Sequence, residues 1–424
     1  MGGESEMNSI PKGYKKTEVG VIPEKWEVKK LGEACKILRG GSPRPIEDYL
    51  TTSPSGVNWI KIGDVSSDSK YITNTEEKII PEGISYSRSV YPGDFLLSNS
   101  MSYGRPYILN IEGCIHDGWL VLQDFCCFFE SDFLYYYLSS ASVLKQYEMK
   151  ASGSSVHNLN KDLVADVIVV IPSLCEQQAI AEVLSDMDTL IQTQKELIAK
   201  KRDIKQGTMQ DLLFGRVRLP GYETKGWKHT DIGDIPDDWE VKSFSNIAYL
   251  IKETVDPTSN KSLNCVELEH LSSSTGLLID FDDLSDKSSL KNKFQQGDVL
   301  FGKLRSYLRK FWLCQWSGCC STEIWVFRPK SITNSVFLKY IVSSDQFVKV
   351  ASESFGTHMP RADWNVVKEC FFAIPAFYSE QQAIAQVLSD MDDELETLEA
   401  ELEKLNHMKR GMMQELLTGR IRLI

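Results

Sequence analysis

The 424-residue sequence lacks several features that would place it in common classes. No apolar run approaches the ~20 residues that a membrane-spanning helix needs, which argues against an integral membrane protein. The first residues, MGGESEMNSI, are polar and acidic, unlike a signal peptide, and we expect residues 1–16 to be disordered. The ten cysteines form no C-x-x-C pair, and six scattered histidines do not complete a zinc site. We therefore expect buried, reduced thiols, no metal site and a cytoplasmic location.

Catalytic motifs are also missing. The stretch GDVLFGK at Gly297–Lys303 has the spacing of a phosphate-binding loop, but Leu304 follows it instead of the Ser or Thr that holds magnesium. PDDWEVK at Pro236–Lys242 superficially resembles a nuclease motif, yet its charged residues fall within a few positions and the related PEKWEVK lacks the aspartate. We interpret the first stretch as a strand with a basic turn. We interpret the second stretch as a turn followed by a strand. No residue is assigned a catalytic or cofactor-binding role.

A long internal repeat dominates what is present. EQQAIAEVLSDMD at Glu176–Asp188 returns as EQQAIAQVLSDMD at Glu380–Asp392, and MQDLLFGRVRL at Met209–Leu219 returns as MQELLTGRIRL at Met413–Leu423. The copies align without a gap, which marks a duplicated chain. Such a chain predicts a pseudo-two-fold molecule, suited to paired partners or to a target with two halves.

The repeat also includes the regions between these segments. TEVGVIPEKWEVK at Thr17–Lys29 matches TDIGDIPDDWEVK at Thr230–Lys242, and GDFLLSNSMSYGR at Gly93–Arg105 matches GDVLFGKLRSYLR at Gly297–Arg309. Between these matches the two halves diverge strongly. This pattern predicts two modules of one fold that are adapted to different targets.

Two long helices are predicted over 176–214 and 380–418. Each would span roughly 55–60 Å, and the first carries two adjacent apolar columns, Leu190/Ile191 and Leu197/Ile198. In an antiparallel pair, Lys200–Lys205 would lie opposite Asp390–Glu394, although these charges could instead be solvated faces. The second helix has an apolar heptad seam typical of a coiled coil, formed by Ile384, Leu388, Met391, Leu395, Leu398, Leu402 and Leu405.

The remaining segments contain short runs of β-branched and aromatic residues broken by Gly, Pro, Asn and Ser, which predicts strands. One helix is expected in each, near Asp132–Lys150 and Ser335–Ser352. The predicted fold class is α+β, with two pseudo-symmetric domains separated by two long antiparallel coiled-coil helices. The predicted segments are a first domain at 17–175, a central helix at 176–214, a connector at 215–229, a second domain at 230–379, a C-terminal helix at 380–418 and a tail at 419–424.

The net charge of −12 argues at first sight against nucleic acid, but the distribution of the basic residues matters more than the total. Lys303, Arg305, Arg309 and Lys310 lie within eight residues that contain no acid. Loops with polar and basic residues are candidates to bind phosphates and base edges, although each could be an ordinary surface loop. The candidate DNA-binding residues are Arg39, Arg44, Asn99, Ser102, Tyr103, Arg105, Ser154, His157, Asn158, Lys303, Arg305, Ser306, Tyr307, Arg309, Thr357, His358 and Arg361.

The chain resembles the specificity subunit of a type I DNA restriction-modification system. The resemblance covers nearly the whole length. It rests on the IPxxWEV opening of each half, on GGSPRPIEDYL and VNWIKIGDV in the first half, on the GD strand, and on a proline-then-EQQAIA junction that occurs twice. The implied fold is two target recognition domains held apart by two antiparallel helices.

The resemblance implies that each domain contacts one half of a bipartite DNA site, with helix length setting the spacer. It also implies that the subunit is not itself an enzyme and docks two methyltransferase subunits and restriction or motor subunits through its helices and flanking repeats. The methyl donor, ATP and Mg²⁺ would belong to those partners. The second half departs from the pattern because Lys252–Ser259 replaces the G-G-S-P segment, so the roles of Arg39 and Arg44 do not transfer to it.

Two other classes of protein remain open on the sequence. An enzyme with degenerate motifs would methylate or cut DNA unaided. A coiled-coil scaffold or adaptor would assemble complexes without reading DNA directly. The bases recognised, the spacer length and the oligomeric state do not follow from the residues.

Overall fold

A computed structural model describes residues 10–66, 69–99, 104–151, 159–223, 226–258, 263–353 and 360–423. The chain forms two compact units. Unit 1 contains Met1–Gln194 together with Glu401–Ile424, and unit 2 contains Lys195–Ala400. Each long helix therefore contributes residues to both units, whereas the sequence prediction treated each helix as a separate segment. Within the described ranges, no helix is long and apolar enough to cross a membrane.

The described residues of the first half of the chain, up to the end of the first long helix, form short strands and five α-helices. Its strands are β1 Tyr14–Thr17, β2 Gly20–Pro23, β3 Glu27–Lys30, β4 Lys36–Arg39, β5 Leu50–Thr51, β6 Val57–Ile60, β7 Tyr71–Ile72, β8 Glu77–Ile79, β9 Arg88–Val90, β10 Phe95–Ser98, β11 Pro106–Leu109, β12 Gly113–Ile115, β13 Trp119–Gln123 and β14 Ile168–Ile171. Its helices are α1 Leu31–Ala34, α2 Ser131–Leu138, α3 Ala141–Ala151, α4 Lys161–Ala165 and α5 Leu174–Leu213, with 3-10 turns at Ile46–Asp48, Ile62–Asp64 and Pro81–Tyr86.

The second half repeats this order with fewer strands. Its strands are β15 Trp227–Thr230, β16 Gly233–Pro236, β17 Trp239–Ser243, β18 Ala248–Ile251, β19 Thr254–Val255, β20 Asn264–Val266, β21 Asp282–Asp283, β22 Lys291–Phe294, β23 Val299–Gly302, β24 Phe311–Leu313, β25 Gly318–Cys320, β26 Ile324–Pro329 and β27 Phe371–Pro375. Its helices are α6 Phe244–Ile247, α7 Ser335–Ser343, α8 Asp345–Ser352, α9 Trp364–Val367 and α10 Tyr378–Leu416, with 3-10 turns at Leu268–His270, Leu284–Asp286 and Ser306–Leu308.

Each unit contains two principal sheets. In unit 1 their strand orders are β4-β13-β10-β11-β7 and β5-β8-β6-β12-β9, and in unit 2 they are β18-β26-β23-β24 and β19-β22-β25-β20-β21. Most pairs are antiparallel, but β7 with β11 and β6 with β12 are parallel in unit 1, and β20 with β25 is parallel in unit 2. This architecture confirms the predicted α+β class and the predicted repetition.

The repeated Gly-Asp pair forms the turn that enters a central strand in each unit. Gly93 and Gly297 have φ values of +94° and +87°, a conformation that favours glycine. The Asp94 carboxylate accepts a hydrogen bond from Tyr91 N at 3.0 Å, and the Asp298 carboxylate accepts one from Gln295 N at 2.9 Å. The stretch that resembled a phosphate-binding loop is therefore a strand preceded by a tight turn, as predicted.

The two long helices run antiparallel within each unit. In unit 1 the Asp188 carboxylate pairs with Lys409. In unit 2 Lys201 Nζ lies 2.6 Å from the Glu394 carboxylate, and Lys205 pairs with Asp392. Increasing numbers on one helix meet decreasing numbers on the other, which confirms the predicted orientation and charge pairing.

The apolar face of α5 is narrower than the sequence suggested. Ile191 and Ile198 are buried, with exposed fractions of 6% and 3%, whereas Leu190 and Leu197 are 49% and 38% exposed. The second apolar column of this helix therefore does not take part in the core of the unit that contains it. The expectation of a wide apolar face was wrong.

A buried glutamate at the start of each long helix fixes the surrounding elements, and we call this cluster the glutamate anchor. In unit 1 the Glu176 side chain is 2% exposed. It accepts hydrogen bonds from Trp26 Nε1 at 2.9 Å and from Arg422 Nη2 at 2.9 Å. Trp26 belongs to the IPxxWEV opening and Arg422 to the segment that follows α10. Three repeated motifs thus meet at one carboxylate.

The glutamate anchor of unit 2 has the same composition. The Glu380 side chain is 1% exposed, and it accepts hydrogen bonds from Arg218 Nε at 2.7 Å and Trp239 Nε1 at 3.3 Å. Arg218 also forms a bidentate pair with Asp238, with both contacts at 3.0 Å. Burial raises the pKa of Glu380, and the Arg218 guanidinium opposes that rise.

The next repeated residue, glutamine, joins each long helix to the rest of its unit. Gln177 accepts a hydrogen bond from Glu130 N at 2.8 Å and donates to Pro172 O at 3.0 Å. Gln381 accepts from Asn334 N at 2.9 Å and donates to Pro375 O at 3.2 Å. Both side chains satisfy backbone groups where a strand and a short helix approach the long helix. The repetition of EQQ therefore has a structural cause inside each unit.

The aspartate that ends the repeated motif connects three helices. In unit 2 the Asp392 carboxylate accepts a hydrogen bond from Tyr340 Oη at 2.7 Å and pairs with Lys339 Nζ at 2.9 Å and with Lys205. Burial alone would raise the pKa of Asp392, but the two ammonium groups outweigh it and hold the pKa below its ordinary value. In unit 1 Asp188 accepts from Tyr136 Oη at 2.8 Å.

Two predictions about secondary structure were wrong. The single helix expected in each domain is two helices, because a serine pair interrupts it: Ser140 Oγ accepts from Val143 N and Ser344 Oγ from Phe347 N. The prediction that residues 1–16 are disordered was wrong for the end of this segment. There β1 pairs with β2, and Tyr14 Oη donates a hydrogen bond to Gly419 O at 3.0 Å. Residues 1–9 lie outside the described residues.

The predicted burial of the cysteines was only partly correct. All ten are free thiols, and burial raises the pKa of Cys35 to about 12. Cys126, Cys127 and Cys175 are exposed, because they lie on the turn before α2 and at the start of α5 and not on strands.

We predict that Arg218→Ala destabilises unit 2 by about 3–5 kcal/mol, because it leaves the buried Glu380 carboxylate without its counter-charge. Denaturant unfolding followed by tryptophan fluorescence measures the loss. Arg216→Ala is the control, since the Arg216 side chain is 62% exposed and its replacement should change the free energy of unfolding by about 0.5 kcal/mol or less.

The same variant has an expected pH dependence. The raised pKa of Glu380 means that the folded state holds this proton more tightly than the unfolded state, so lowering the pH through that pKa favours folding. Without Arg218 the pKa rises further, and the cost of Arg218→Ala should shrink as the pH falls. A cost that is constant or larger in acid would contradict the role of Glu380.

Candidate nucleic-acid interface

Each unit fixes one residue after its central strand by the same two backbone hydrogen bonds. In unit 1 Asn99 N donates to Gly118 O at 3.0 Å, and Asn99 O accepts from Leu159 N at 2.9 Å. In unit 2 Lys303 N donates to Glu323 O at 3.0 Å, and Lys303 O accepts from Ala362 N at 2.8 Å. Three loops that are distant in the sequence therefore converge at one place in each unit.

Asp117 is the centre of this surface in unit 1. Its backbone carbonyl accepts hydrogen bonds from Arg39 Nε at 3.2 Å and Asn99 Nδ2 at 2.9 Å. Its carboxylate lies 3.5 Å from Arg44 Nη2 and accepts from Ser42 Oγ at 3.1 Å. Arg39, Arg44 and Asn99 were all candidates from the sequence, and the structure brings them together around a residue that the sequence reasoning missed.

His116 completes the cluster around Asp117. Its Nδ1 accepts a hydrogen bond from Gly118 N at 3.0 Å, so Nε2 carries the proton of the neutral ring. That nitrogen lies 2.9 Å from the Asp117 carboxylate. The ring therefore helps to orient the Asp117 carboxylate.

The glycine pair beside Arg39 is required by close backbone approach. A Cβ at Gly40 would lie 2.1 Å from His116 O, and a Cβ at Gly41 would lie 2.9 Å from Tyr86 O. Any larger residue at Gly40 must displace the loop that carries Asp117.

The loop that follows Lys303 in unit 2 is held in an uncommon backbone conformation. Arg305 and Arg309 have φ values of +52° and +49°, and they flank the 3-10 turn Ser306–Leu308. Left-handed backbone is unfavourable for residues other than glycine and is tolerated where surrounding contacts enforce it. The conformation turns Arg305 and Tyr307 outward, and both are exposed.

The enforcing contacts come from the loop's other side chains. The Ser306 side chain is buried and donates to Ala351 O at 2.9 Å. Ser306 therefore holds the turn against α8 instead of presenting its hydroxyl at the surface, which contradicts its predicted role as a DNA contact. Arg309 pairs with Asp345, the first residue of α8.

Arg309 is consequently a positioning residue for this loop. The Asp345 carboxylate also accepts hydrogen bonds from Gln206 Nε2 at 2.8 Å and Gln210 Nε2 at 2.7 Å, both on α5. Burial would raise the pKa of Asp345, but Arg309 and the two amides outweigh it and lower that pKa. The loop is thereby linked to the long helix within unit 2.

Arg361 is the remaining basic residue of this surface in unit 2. It forms a β-bridge with Leu304, and its Nε lies 3.1 Å from the Glu323 carboxylate. Lys303, Arg305, Tyr307 and Arg361 therefore share one surface, as predicted from the sequence. The sequence reasoning missed Glu323, which directly precedes the buried strand β26, whereas Asp117 lies one residue further from β13.

The remaining candidates divide into two groups. Arg105 is half-buried at the start of β11, and its backbone N donates to Ser98 Oγ at 3.1 Å. The candidates that lie outside the described residues are Ser102, Tyr103, Ser154, His157, Asn158, Thr357 and His358. Among the residues that are described, no group of three or more His, Cys, Asp and Glu side chains is placed to hold a metal ion.

The chain matches the family model of the type I restriction modification DNA specificity domain twice, at residues 23–200 and 236–407. The two matches correspond to the two halves of the repeat.

Individual relatives agree with this match. The MjaVIII type I restriction enzyme specificity subunit of Methanocaldococcus jannaschii is 26% identical, with 95% of this chain and 94% of that protein covered. The EcoDI specificity subunit of Escherichia coli is 20% identical over 95% of this chain and 90% of that protein.

Solved structures show the same fold. A chain from a structure of the complex assembly and conformational transition of the type I R-M system aligns with a TM-score of 0.60 at 14% identity, covering 94% of this chain and 99% of that one. The S subunit of a type I restriction-modification system from M. genitalium aligns with a TM-score of 0.50 at 13% identity, covering 92% and 96%.

We predict that Gly40→Ala distorts the loop around Asp117 and lowers the stability of unit 1 by about 1–3 kcal/mol, because the added methyl group would clash with a backbone oxygen. Gly63→Ala is the matched control, since a Cβ there would meet nothing within 4 Å. Thermal unfolding compares the two variants, and equal melting temperatures would contradict the close approach at Gly40.

Proposed function

Because the chain belongs to the type I restriction-modification DNA specificity domain family, we propose that it reads a bipartite DNA sequence, one half with each unit. The observation that carries this proposal is the repeated loop geometry. Residues 99 and 303 are fixed by equivalent backbone hydrogen bonds, yet they differ in side chain. Two equivalent sites with different side chains suit a target with two different halves.

Charge distribution supports DNA as the ligand despite the acidic total. Arg39, Arg44 and Arg88 are exposed around Asp117, and Arg305 and Arg361 are exposed in unit 2. Many of the acidic side chains near the long helices are already paired with lysines. Phosphate contact depends on such local cations more than on net charge.

We assign the spacing of the two half-sites to the long helices. The helices contain 40 and 39 residues, which corresponds to about 60 Å each. Their antiparallel pairing and buried seam make them stiff elements, so their length would limit which gap between half-sites fits.

We assign the chemistry to partner subunits. Two methyltransferase subunits and the motor-nuclease subunits would supply the methyl donor, ATP and Mg²⁺ sites, and this chain would act without catalytic residues of its own. The buried Glu, Gln and Asp side chains of the repeats form hydrogen bonds to other residues of their own unit. Docking would therefore use the exposed residues of the helices, such as Glu182, Leu190 and Leu197.

Selection from a pool of randomised duplex DNA tests the proposal. The full chain, alone and with its methyltransferase subunits, should enrich sequences with two defined parts and an undefined gap of fixed length. Enrichment of one continuous sequence, or of none, would favour a scaffold that does not read DNA. Methylation or cleavage by the chain alone would indicate an enzyme.

We predict that Arg305→Gly weakens DNA binding without destabilising unit 2. Glycine adopts the left-handed conformation of this position freely, so the free energy of unfolding should stay within about 1 kcal/mol or rise. Loss of one phosphate contact should lower the salt-dependence slope of binding by about one. Fluorescence anisotropy over a salt series, together with thermal unfolding, measures both effects.

The control for Arg305→Gly is Arg309→Gly. It relieves the same backbone conformation but removes the pair with Asp345, so its stability should fall. The replacement of Lys303, Arg305 and Arg309 together by alanine should reduce affinity further. Unchanged affinity and salt dependence in all of these variants would contradict DNA contact by this loop.

We predict that matched seven-residue helical insertions, near Ala199 in α5 and near Leu398 in α10, alter spacing. Seven residues are close to two turns and add about 10 Å while keeping the same faces together. The preferred gap should lengthen by about three base pairs, or binding should be lost because the half-sites also rotate. An unchanged gap in the selected sequences would contradict the role of the helices.

A further inference from the structure

Both units place a carboxylate inside the basic surface that is proposed to face DNA. Asp117 in unit 1 and Glu323 in unit 2 each lie on the turn between two strands, directly against residue 99 or 303. Their arginine partners come from different parts of the chain. Arg44 precedes β5, whereas Arg361 precedes α9. A carboxylate beside an arginine thus occurs in both units, at positions one residue apart in the repeated strand pairing, and it is built from unrelated segments.

The acceptor capacity of Asp117 is only partly used. Its Oδ1 accepts from Ser42 Oγ at 3.1 Å and lies 2.9 Å from His116 Nε2, whereas the contact that its Oδ2 makes with Arg44 is long, at 3.5 Å. The Asp117 side chain is 31% exposed and that of Arg44 is 82% exposed. The carboxylate is therefore oriented by its neighbours, and its side chain is partly exposed at the proposed interface.

Glu323 has a similar setting. Its Oε2 is buried, lies 3.1 Å from Arg361 Nε and makes no hydrogen bond to any described residue, while the side chain as a whole is 27% exposed. Its backbone carbonyl accepts from Lys303 N, so the turn is held in place. The position directly precedes β26, a rigid strand of the central sheet.

A carboxylate at such a position disfavours phosphate and favours a different DNA group. Against the backbone it would add repulsion, whereas in the major groove it can accept a hydrogen bond from the exocyclic amino group of cytosine or adenine. Guanine and thymine present acceptors at the corresponding edge, and a carboxylate would oppose them. A carboxylate among phosphate-binding arginines is therefore suited to accept a hydrogen bond from the amino group of a base.

Resting on the proposed function, we infer that Asp117 and Glu323 are specificity-determining residues, each accepting a hydrogen bond from a base amino group in its own half-site. The arginines beside them bind phosphate and orient the carboxylate. The inference adds two residues to the candidates from the sequence and names the base class that each one selects.

Asp117→Asn and Glu323→Gln test the inference in the full chain with its methyltransferase subunits, using the same randomised duplex pool. Each amide retains the shape of the side chain but adds a donor, so it accepts bases that the carboxylate excludes. Asp117→Asn should reduce the preference for C or A at one position of one half-site by at least about ten-fold and leave the other half unchanged. Glu323→Gln should do the same in the other half only, so each variant controls for the other.

The outcomes separate the inference from the proposed function. If the unmodified complex selects no bipartite sequence, the proposed function fails. If it does, but both variants keep every base preference while affinity falls equally for all sequences, Asp117 and Glu323 only position their neighbours and the inference is overturned. Thermal unfolding checks each variant, and if Asp117→Asn is unfolded, the Glu323→Gln result decides alone.

Discussion

The glutamate anchor is the interaction on which each unit depends. A carboxylate that is almost fully buried is tolerated only with a counter-charge and hydrogen-bond donors, and each anchor supplies an arginine and a tryptophan. Those donors come from the opening of one half and from the segment after the long helix of the other half. The anchor thus decides where a long helix begins, which strand it follows and where its antiparallel partner ends. The strong repetition of these motifs follows from that requirement.

Because the glutamate anchors and the strands are repeated in both units, the side chains of the recognition surface can differ between them. In both units the loops near residue 99 or 303 are supported by strands and by the same backbone hydrogen bonds. The side chains there differ, because the hydrogen bonds that the two units share involve only backbone atoms. Unit 1 carries a hydrogen-bonded polar cluster around Asp117, whereas unit 2 carries a strained loop with left-handed backbone at Arg305. Both are supported by the same arrangement of strands.

Much of this was predictable because repetition and helical periodicity are strong signals. The long helices, their orientation and the α+β domains followed from the sequence, which named Arg39, Arg44 and Asn99 as candidates but did not predict that they meet. Other features depend on single contacts that no periodicity reports. The burial of Ser306 depends on the distant Ala351 carbonyl, and the serine breaks before α3 and α8 resemble ordinary helical residues in the sequence. Asp117 and Glu323 were missed because they lack neighbouring basic residues in the chain.

The partner of Glu176 has a consequence for biogenesis. Arg422 follows α10, so the anchor of the amino-terminal half stays incomplete until the ribosome has synthesised residue 422. The anchor of unit 2 needs no residue beyond 380. The duplication thus joins two anchors whose partners become available at different stages of synthesis.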